Sequence, residues 1–206
     1  MKRQITQSVL TIAILLIGAW NVQSISQAAA GVTQAKAYFA GGCFWCMEEV
    51  FEKVEGVLSA TSGYMGGAVA SPSYEEVSAG RTGHAESVEV VYDPAKVSYQ
   101  KLLEAFWHNV DPITPNAQFC DHGSQYRSAI FFQTDEEKRA SDASKQGIEQ
   151  SKRFTEPIVT QIVQASQFYP AEEYHQDFYK KNPIRYKVYK YNCGRAKRLE
   201  ALWGNP

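Results

Sequence analysis

The sequence predicts an α+β fold, a two-layer sandwich with a mixed central sheet and packed helices. Two observations lead to this prediction. Segments with strand patterns alternate irregularly with segments with helix patterns, and few connections have the form expected of parallel crossovers. No internal repeat, low-complexity tract or long linker divides residues 31–206, and a chain of that length suits a single domain with a substantial core.

In the first half of this domain, five elements follow from apolar spacing and turn residues. A short apolar run at 37–41 ends in a Gly-Gly turn and predicts a strand. Residues 47–54 place apolar side chains on one helical face, and 57–64 predict a second strand that ends before another Gly-Gly turn. Residues 71–77 predict a short helix. Alternating residues over 87–92, followed by Asp-Pro, predict a third strand.

The second half adds five more elements. Leucines and aromatic residues at helical spacing predict an amphipathic helix over 99–110. Apolar runs at 126–132 and 158–165 predict two strands, separated by a charged helix over 135–153. A short helix is expected over 171–181, where Asn-Pro ends it.

The N-terminal 30 residues have the layout of a signal peptide. Lys2 and Arg3 form a basic start, residues 9–20 are apolar, and Ala28-Ala29-Ala30 offers a cleavage site of small residues. The apolar stretch is shorter than the roughly 20 residues that span a bilayer comfortably. We therefore expect a signal peptide over 1–30 and an exported, periplasmic or secreted protein. It would have no stable membrane association after cleavage and an inner-membrane anchor only if uncleaved.

Charge and cysteine content narrow the function. The formal net charge is −1, and loss of Lys2 and Arg3 with the signal peptide lowers it to −3. Because phosphate binding needs a basic patch, nucleic acid is not expected as a partner. Export would bring the four cysteines into an oxidising compartment. A domain of this size does not need disulfides to fold, so redox chemistry is the better explanation for them.

The segment Gly42-Cys43-Phe44-Trp45-Cys46 is the most informative in the chain. It joins a predicted strand to a predicted helix. Cys43 is therefore expected near unpaired backbone N–H groups at a helix N-terminus, which favours a thiolate. Glu48 and Glu49, one turn further on, have the opposite effect. The position nevertheless predicts a nucleophilic cysteine.

A Cys-x-x-Cys pair also occurs in structural zinc sites and in buried disulfides. Cys120 and His122 offer two further ligands. Their Cys-x-His spacing differs from the second Cys-x-x-Cys or His-x-x-x-His pair that structural zinc sites usually show. We therefore predict no metal site.

Three other segments contain side chains that could take part in catalysis. Gly83-His84-Ala85-Glu86 puts a carboxylate at the start of a strand, where an apolar cleft would raise its pKa and suit it to general acid catalysis. Residues 121–128 form a polar run before a buried strand, as in loops held at functional sites. Both patterns also fit an ordinary surface carboxylate and a packed loop. Cys193 lies in a tail, 184–206, that has little pattern and is expected to be flexible enough to reach a distant sulfur.

The chain resembles peptide methionine sulfoxide reductase type A in four motifs taken in order. These are Gly42-Cys43-Phe44-Trp45, Gly83-His84-Ala85-Glu86, Asp-His-Gly-Ser-Gln-Tyr-Arg-Ser over 121–128, and Tyr174-His175-Gln176. The resemblance covers residues 36–203. It implies an α+β sandwich that reduces the S-epimer of methionine sulfoxide, free or in oxidised proteins and peptides, and so repairs oxidative damage.

The resemblance also implies a role for each matching residue. Cys43 matches the nucleophile, and Glu86 matches the acid that protonates the sulfoxide oxygen. Cys193 falls where many members keep a recycling thiol. Phe44 and Trp45 match the aromatic pair that receives the S-methyl group of the substrate. Tyr74 and Tyr126 match the two phenols that hold the sulfoxide oxygen, and Asp121 matches a supporting polar residue.

Two positions depart from the family pattern, and both concern recycling. Cys46 stands where many members have glycine, and Cys120 stands where asparagine is common. The thiol that resolves the Cys43 sulfenic acid is therefore open between Cys46, Cys193 and Cys120. We expect the first disulfide to join Cys43 to Cys46, because the two are three residues apart at the start of one helix. Cys193 would then either relay the disulfide outward or replace Cys46. No metal or organic cofactor is required; a thioredoxin-like protein or dithiothreitol would regenerate the thiols.

The main alternative is a thioredoxin-like thiol–disulfide oxidoreductase in which Cys43 and Cys46 are the redox pair. That function would call for a βαβ setting, and it leaves Glu86 and residues 125–127 without a role. A metal-binding or interaction module without enzymatic activity is the third possibility.

Overall fold

A six-stranded mixed sheet organises the fold. The structure is a computed structural model that describes residues 33–204, so the signal peptide expected over 1–30 lies outside the described residues. Within the described part, no helix is long and apolar enough to cross a membrane.

The strands are β1 (Ala35–Gly41), β2 (Val57–Met65), β3 (Ala85–Tyr92), β4 (Ala117–Gln118), β5 (Asp121–His122), β6 (Ser128–Phe132), β7 (Gln161–Gln164) and β8 (Tyr169–Pro170). The helices are α1 (Phe44–Glu52), α2 (Tyr74–Ser78), α3 (Tyr99–Trp107), α4 (Asp135–Gln150), α5 (Phe178–Lys181), α6 (Pro183–Asn192) and α7 (Arg195–Trp203). Two short 3-10 helices lie at Ser124–Tyr126 and Glu173–His175.

The strand order across the sheet is β7-β6-β1-β3-β2-β8, and β4 and β5 form a separate two-stranded hairpin. Neighbouring strands are antiparallel except β6 and β7, which are parallel. The sheet is therefore mixed, and helices pack on it, so the predicted fold class is confirmed.

The main core lies between the sheet and helices α1 and α3. The ring of Phe39 on β1 stacks on Phe51 of α1 and Phe106 of α3, with ring centroids 4.8 and 5.4 Å apart. All three side chains are fully buried, which stabilises the fold by roughly 2–3 kcal/mol each. Because side chains alternate along a strand, the opposite face of the sheet has its own smaller cluster, which includes Phe131 and Phe168. Packing of α1 on the sheet holds its first residues over the ends of β1 and β3.

The helix predicted over 171–181 is wrong. The structure has the 3-10 turn Glu173–His175, then Asp177 with φ of +55°, and only then the four-residue α5. The side-chain amide of Gln176 explains the break. Its Oε1 accepts the backbone N–H of Ser62, and its Nε2 donates to the carbonyl of the same residue, both at 2.9 Å. The Gln176 side chain therefore holds this segment against β2 through two hydrogen bonds with the backbone of that strand.

The expectation of a flexible, patternless tail over 184–206 is also wrong for its described part. Helices α6 and α7 occupy 183–192 and 195–203. Polar contacts anchor them: the Tyr186 hydroxyl donates to Glu49 at 2.6 Å, and Arg195 is 2% exposed. Periodicity of apolar residues misses these helices because tyrosine hydroxyls and one arginine make the contacts.

Candidate active site

Cys43 lies at the turn between β1 and α1. Gly42 in this turn has φ of +79°, and a Cβ there would lie 2.4 Å from Cβ of Gln118, so the turn requires glycine. Cys43 is the N-cap residue of α1 and is 6% exposed. The thiol is thus placed at a helix N-terminus, as the sequence predicts.

Glu86 reaches the same helix terminus from β3. Its Oε2 accepts the backbone N–H of Phe44 at 3.0 Å, and the residue is buried. Burial raises the pKa of Glu86 to about 8 and outweighs the lowering effect of that hydrogen bond. The carboxyl group is therefore mostly protonated at neutral pH, which is the form that a general acid needs.

Cys43 and Glu86 face a small cavity of about 70 Å³ whose other walls are aromatic and polar side chains. A cavity of this volume holds only a few water molecules, which suits a small polar group. A larger apolar groove of about 570 Å³ between α3 and α4 contains no thiol. The cavity is lined by Cys43, Phe44, Trp45, Tyr74, Glu86, Asp121, Tyr126 and Tyr189.

The structure thus brings together seven of the nine residues predicted for the site; Cys46 and Cys193 do not line the cavity. The seven come from five separate parts of the chain. Local turns and caps fix several of them. Ser73 and Glu76 form a capping box that starts α2 at Tyr74, and the 3-10 turn after Gly123 ends at Tyr126.

The aromatic wall is held from behind by His175. The indole Nε1 of Trp45 donates to Nδ1 of His175 at 3.1 Å, and the Trp45 ring stacks on Phe178 with centroids 3.8 Å apart. The His175 ring also packs against Tyr74 at 4.3 Å and Phe44 at 5.0 Å. His175 belongs to a motif that the sequence singles out, and the structure places it behind the cavity wall.

The phenols of the cavity are hydrogen-bond donors at neutral pH. Burial, with Glu86 as the next cause, raises the pKa of Tyr74 to about 12 and raises the pKa of Tyr126 as well. The hydroxyl of Tyr189 donates to Oδ2 of Asp121 at 2.5 Å. Burial also raises the pKa of Asp121. The cavity therefore presents neutral phenols and the protonated carboxyl group of Glu86, with Asp121 as the second carboxyl group in its wall.

The pKa values of the two thiols at the start of α1 shift in opposite directions. Burial and the neighbouring Cys46 raise the pKa of Cys43 well above its usual range. The hydrogen bond with Cys43 lowers the pKa of Cys46 to about 6, with further help from Arg195, Tyr186 and Lys190. These opposite directions favour Cys46 over Cys43 as the thiol that carries the negative charge in the reduced site.

The other two cysteines are bonded to each other. Cys120 and Cys193 form a disulfide between residues 73 apart, while Cys43 and Cys46 are free and buried. Cys193 follows the last residue of α6, so it lies on an ordered helix end and not on a flexible tail. Cys120 precedes Asp121 of the cavity wall and is exposed.

Two tyrosines near the thiols were missed by the sequence prediction. Tyr189 lines the cavity together with Cys43, and its hydroxyl donates to Asp121. Tyr186 is buried in the same cluster as Cys43 and Cys46, and its hydroxyl donates to Glu49. Their spacing of three residues, which puts both on one face of a helix, is the feature that would have identified them.

The comparisons with known proteins agree on one family. A family model described as peptide methionine sulfoxide reductase matches residues 35–206. The peptide methionine sulfoxide reductase MsrA of Listeria welshimeri is 48% identical over 168 residues, which cover 82% of this chain and 95% of the relative. The enzyme of the same name from Bacillus licheniformis is 46% identical and covers 82% and 93%.

Two solved structures have the same fold. The reduced form of Mxr1 from Saccharomyces cerevisiae superposes with a TM-score of 0.69 at 31% identity, over 75% of this chain and 88% of the yeast chain. Methionine sulfoxide reductase A of Corynebacterium diphtheriae superposes with a TM-score of 0.67 at 32% identity, over 73% of this chain and 76% of that one.

Proposed function

Since the chain belongs to the peptide methionine sulfoxide reductase family, we propose that the cavity at Cys43 is where it reduces methionine S-sulfoxide to methionine. The activity follows from the family, and the protein is a peptide-methionine (S)-S-oxide reductase that repairs oxidised methionine. The assignment of residues to steps is our proposal. The observation that carries it is a neutral Glu86 facing the same small cavity as the Cys43 thiol.

Glu86 is the general acid. A sulfoxide sulfur becomes electrophilic only when its oxygen is protonated or strongly hydrogen-bonded. Glu86 carries the proton to be transferred, and the hydroxyls of Tyr74 and Tyr126 donate hydrogen bonds to the same oxygen. Because all three groups are uncharged, they bind the neutral sulfoxide without repelling the approaching thiol.

Cys43 is the nucleophile, and Cys46 is the base that activates it. The Cys43 and Cys46 thiols lie in one buried cluster. The pKa of Cys46 is about 6, so Cys46 is a thiolate at neutral pH and takes the Cys43 proton as attack begins. Cys43 bonds to the oxygen-bearing sulfur, methionine leaves, and Cys43 becomes a sulfenic acid. The rings of Phe44 and Trp45 supply the apolar surface for the S-methyl group.

Cys46 then resolves the sulfenic acid. Its thiol, now protonated, condenses with the Cys43 sulfenic acid to give the Cys43–Cys46 disulfide and water. The position of the two free thiols in one buried cluster supports this order, because the resolving sulfur is already close to Cys43. Cys193 does not enter this first step, since its sulfur is bonded to Cys120.

We propose that the cycle uses no bound cofactor and that a thioredoxin-like dithiol protein reduces the disulfide. The thioredoxin-like oxidoreductase considered from the sequence is not favoured, because the family match accounts for Glu86 and the tyrosines as well as the thiols. Export also remains a proposal. It is supported by the basic, apolar and small-residue order of residues 1–30. N-terminal sequencing of the protein from fractionated cells tests it, and an intact Met1 in the cytoplasm would refute it.

The proposed function is tested with separate epimers of methionine sulfoxide and dithiothreitol as reductant. The mature protein should consume the S-epimer and leave the R-epimer. Cys43→Ser should form no methionine, since a serine hydroxyl is not comparably nucleophilic at neutral pH. Equal consumption of both epimers, or full activity of Cys43→Ser, contradicts the assignment.

A further inference from the structure

Glu48 on α1 is a buried carboxyl group that takes no part in the steps proposed above. It is 1% exposed, and it is not among the residues that line the cavity. Its Oε2 accepts the hydroxyl of Ser62 on β2, and its Oε1 accepts the backbone N–H of Asp177, both at 2.7 Å. These two contacts offset the cost of burying the carboxyl group. One side chain thus joins α1 both to the sheet and to the segment that precedes α5.

Asp177 lies between the two residues that hold the Trp45 ring. Nδ1 of His175 accepts the indole N–H of Trp45 at 3.1 Å, and the Phe178 ring stacks on the indole with centroids 3.8 Å apart and planes 8° from parallel. Trp45 and Glu48 are three residues apart on α1, so their side chains are neighbours on one face of this helix. Helix α1 therefore contacts the segment at two points, through the Trp45 ring and through the carboxyl group of Glu48.

We propose that Glu48 is a positioning residue for substrate specificity. It fixes the segment around Asp177, and through this segment it holds Trp45 in the orientation that receives the S-methyl group of the substrate. This inference rests on the role proposed above for Trp45. Glu48 does not line the cavity, so it acts through Trp45 and is not a catalytic residue.

The backbone around Asp177 needs a contact from outside its own segment. Asp177 has φ of +55°, in the left-handed region that residues other than glycine rarely adopt. Helix α5 has only four residues, too few to be stable by itself, and the Asp177 side chain makes no capping hydrogen bond to it. Glu48 accepts the N–H of this N-cap residue, as the N3 side chain does in a capping box. Loss of that acceptor would therefore free the start of α5 and the Phe178 ring.

Substitutions at Glu48 separate its contacts from its charge. Burial raises the pKa of Glu48 to about 7, so the uncharged form is already populated near neutral pH. In Glu48→Gln the amide oxygen can accept the Asp177 N–H while the amide nitrogen donates to the Ser62 hydroxyl, which keeps both contacts. Glu48→Leu removes both contacts at similar volume. Ser62→Ala is the matched control, because it removes the contact to β2 and leaves the contact to Asp177.

Single turnovers over a range of methionine S-sulfoxide concentrations measure substrate binding and chemistry separately. Glu48→Leu should raise the half-saturating concentration about tenfold and keep the limiting rate within about threefold of wild type, because a loosened methyl pocket loses binding that is equal in ground and transition states. Glu48→Leu should also discriminate less than wild type between methionine S-sulfoxide and its S-ethyl homologue. Glu48→Gln and Ser62→Ala should keep the wild-type half-saturating concentration and discrimination, although Ser62→Ala should unfold at a lower denaturant concentration.

A double variant tests whether Glu48 acts through the segment. Phe178→Leu removes the ring that stacks on Trp45 and should raise the half-saturating concentration in the same way. Adding Glu48→Leu to Phe178→Leu should raise it little further, because both substitutions release the same wall of the pocket. Glu48→Asp, whose side chain is shorter by one methylene group, should change binding in the same direction, and it provides the comparison if Glu48→Leu does not fold.

Three outcomes refute the positioning role. They are an unchanged half-saturating concentration in folded Glu48→Leu or Glu48→Asp, equal changes in Glu48→Gln and Glu48→Leu, and effects of Glu48→Leu and Phe178→Leu that multiply in the double variant. Absence of methionine formation by the wild-type protein refutes the reductase function instead, so the two failures are distinguishable.

Discussion

Replacing Glu86 with glutamine tests the central feature of the proposed mechanism. The substitution keeps the shape of the side chain, and the amide oxygen can still accept the backbone N–H of Phe44, which donates to Glu86 at 3.0 Å. The amide donates hydrogen bonds but has no proton to transfer. General acid catalysis contributes typically about 10²–10⁴-fold, so we expect the rate of sulfoxide reduction to fall by that factor.

The pH profile identifies the acid more specifically. Because burial raises the pKa of Glu86 to about 8, the wild-type rate should fall about tenfold between pH 7 and pH 9 as the acid form is lost. Glu86→Gln should lack this fall. Quenched single turnovers with methionine S-sulfoxide measure both effects. Glu89→Gln is the matched control, since Glu89 lies on the same strand and is not among the residues that line the cavity.

Stability provides an independent check that the variant is folded. A carboxyl group with a pKa of about 8 in the folded protein, against 4.5 ordinarily, stabilises the fold fully below pH 4.5 and loses that contribution as pH rises to about 8. The contribution is about 5 kcal/mol. The free energy of unfolding should therefore fall less with pH in Glu86→Gln than in wild type over this range. Near-native single-turnover rates in Glu86→Gln, with an unchanged fall toward pH 9, would show that another group is the acid.

Three further predictions follow from the site and the fold. Cys46→Ser should still form one methionine per chain from Cys43. The wild-type rate should increase as pH rises through about 6, because Cys46 ionises there, and Cys46→Ser should lack this increase. A retained increase contradicts the role of Cys46 as base. Tyr126→Phe removes one donor to the sulfoxide oxygen and should slow single turnovers about tenfold or more, and an unchanged rate would exclude that donor. Gly63→Ala should lower the free energy of unfolding by ~1–3 kcal/mol, because its Cβ would lie 2.3 Å from the Phe168 ring and 2.5 Å from the Tyr169 carbonyl oxygen. Gly147→Ala, inside α4 with no atom within 4 Å, should raise it by roughly 0.5–1 kcal/mol; denaturant unfolding compares the two, and equal effects refute the packing argument.

The sequence alone predicts features that depend on residues close together in the chain. The Gly-Gly turn before Cys43 and the helix after it place the thiol at a helix N-terminus, and the structure shows both. The mixed sheet could be predicted because apolar alternation marks its longer strands. Seven of the predicted site residues meet in one cavity because the motifs lie at the ends of strands and helices. The sequence therefore determines the chemical groups and their local geometry.

Tertiary structure alone decides the properties that depend on distant contacts. Burial raises the pKa of Glu86 and of Cys43, whereas the contacts of Cys46 lower the pKa of that thiol. The pairing of Cys120 with Cys193, 73 residues away, depends on where α6 lies. Apolar periodicity does not reveal α6, because its contacts to Glu49 and Asp121 are made by tyrosine hydroxyls. Periodicity reports which face of an element is apolar, whereas desolvation and disulfide partners depend on how the elements are assembled in space.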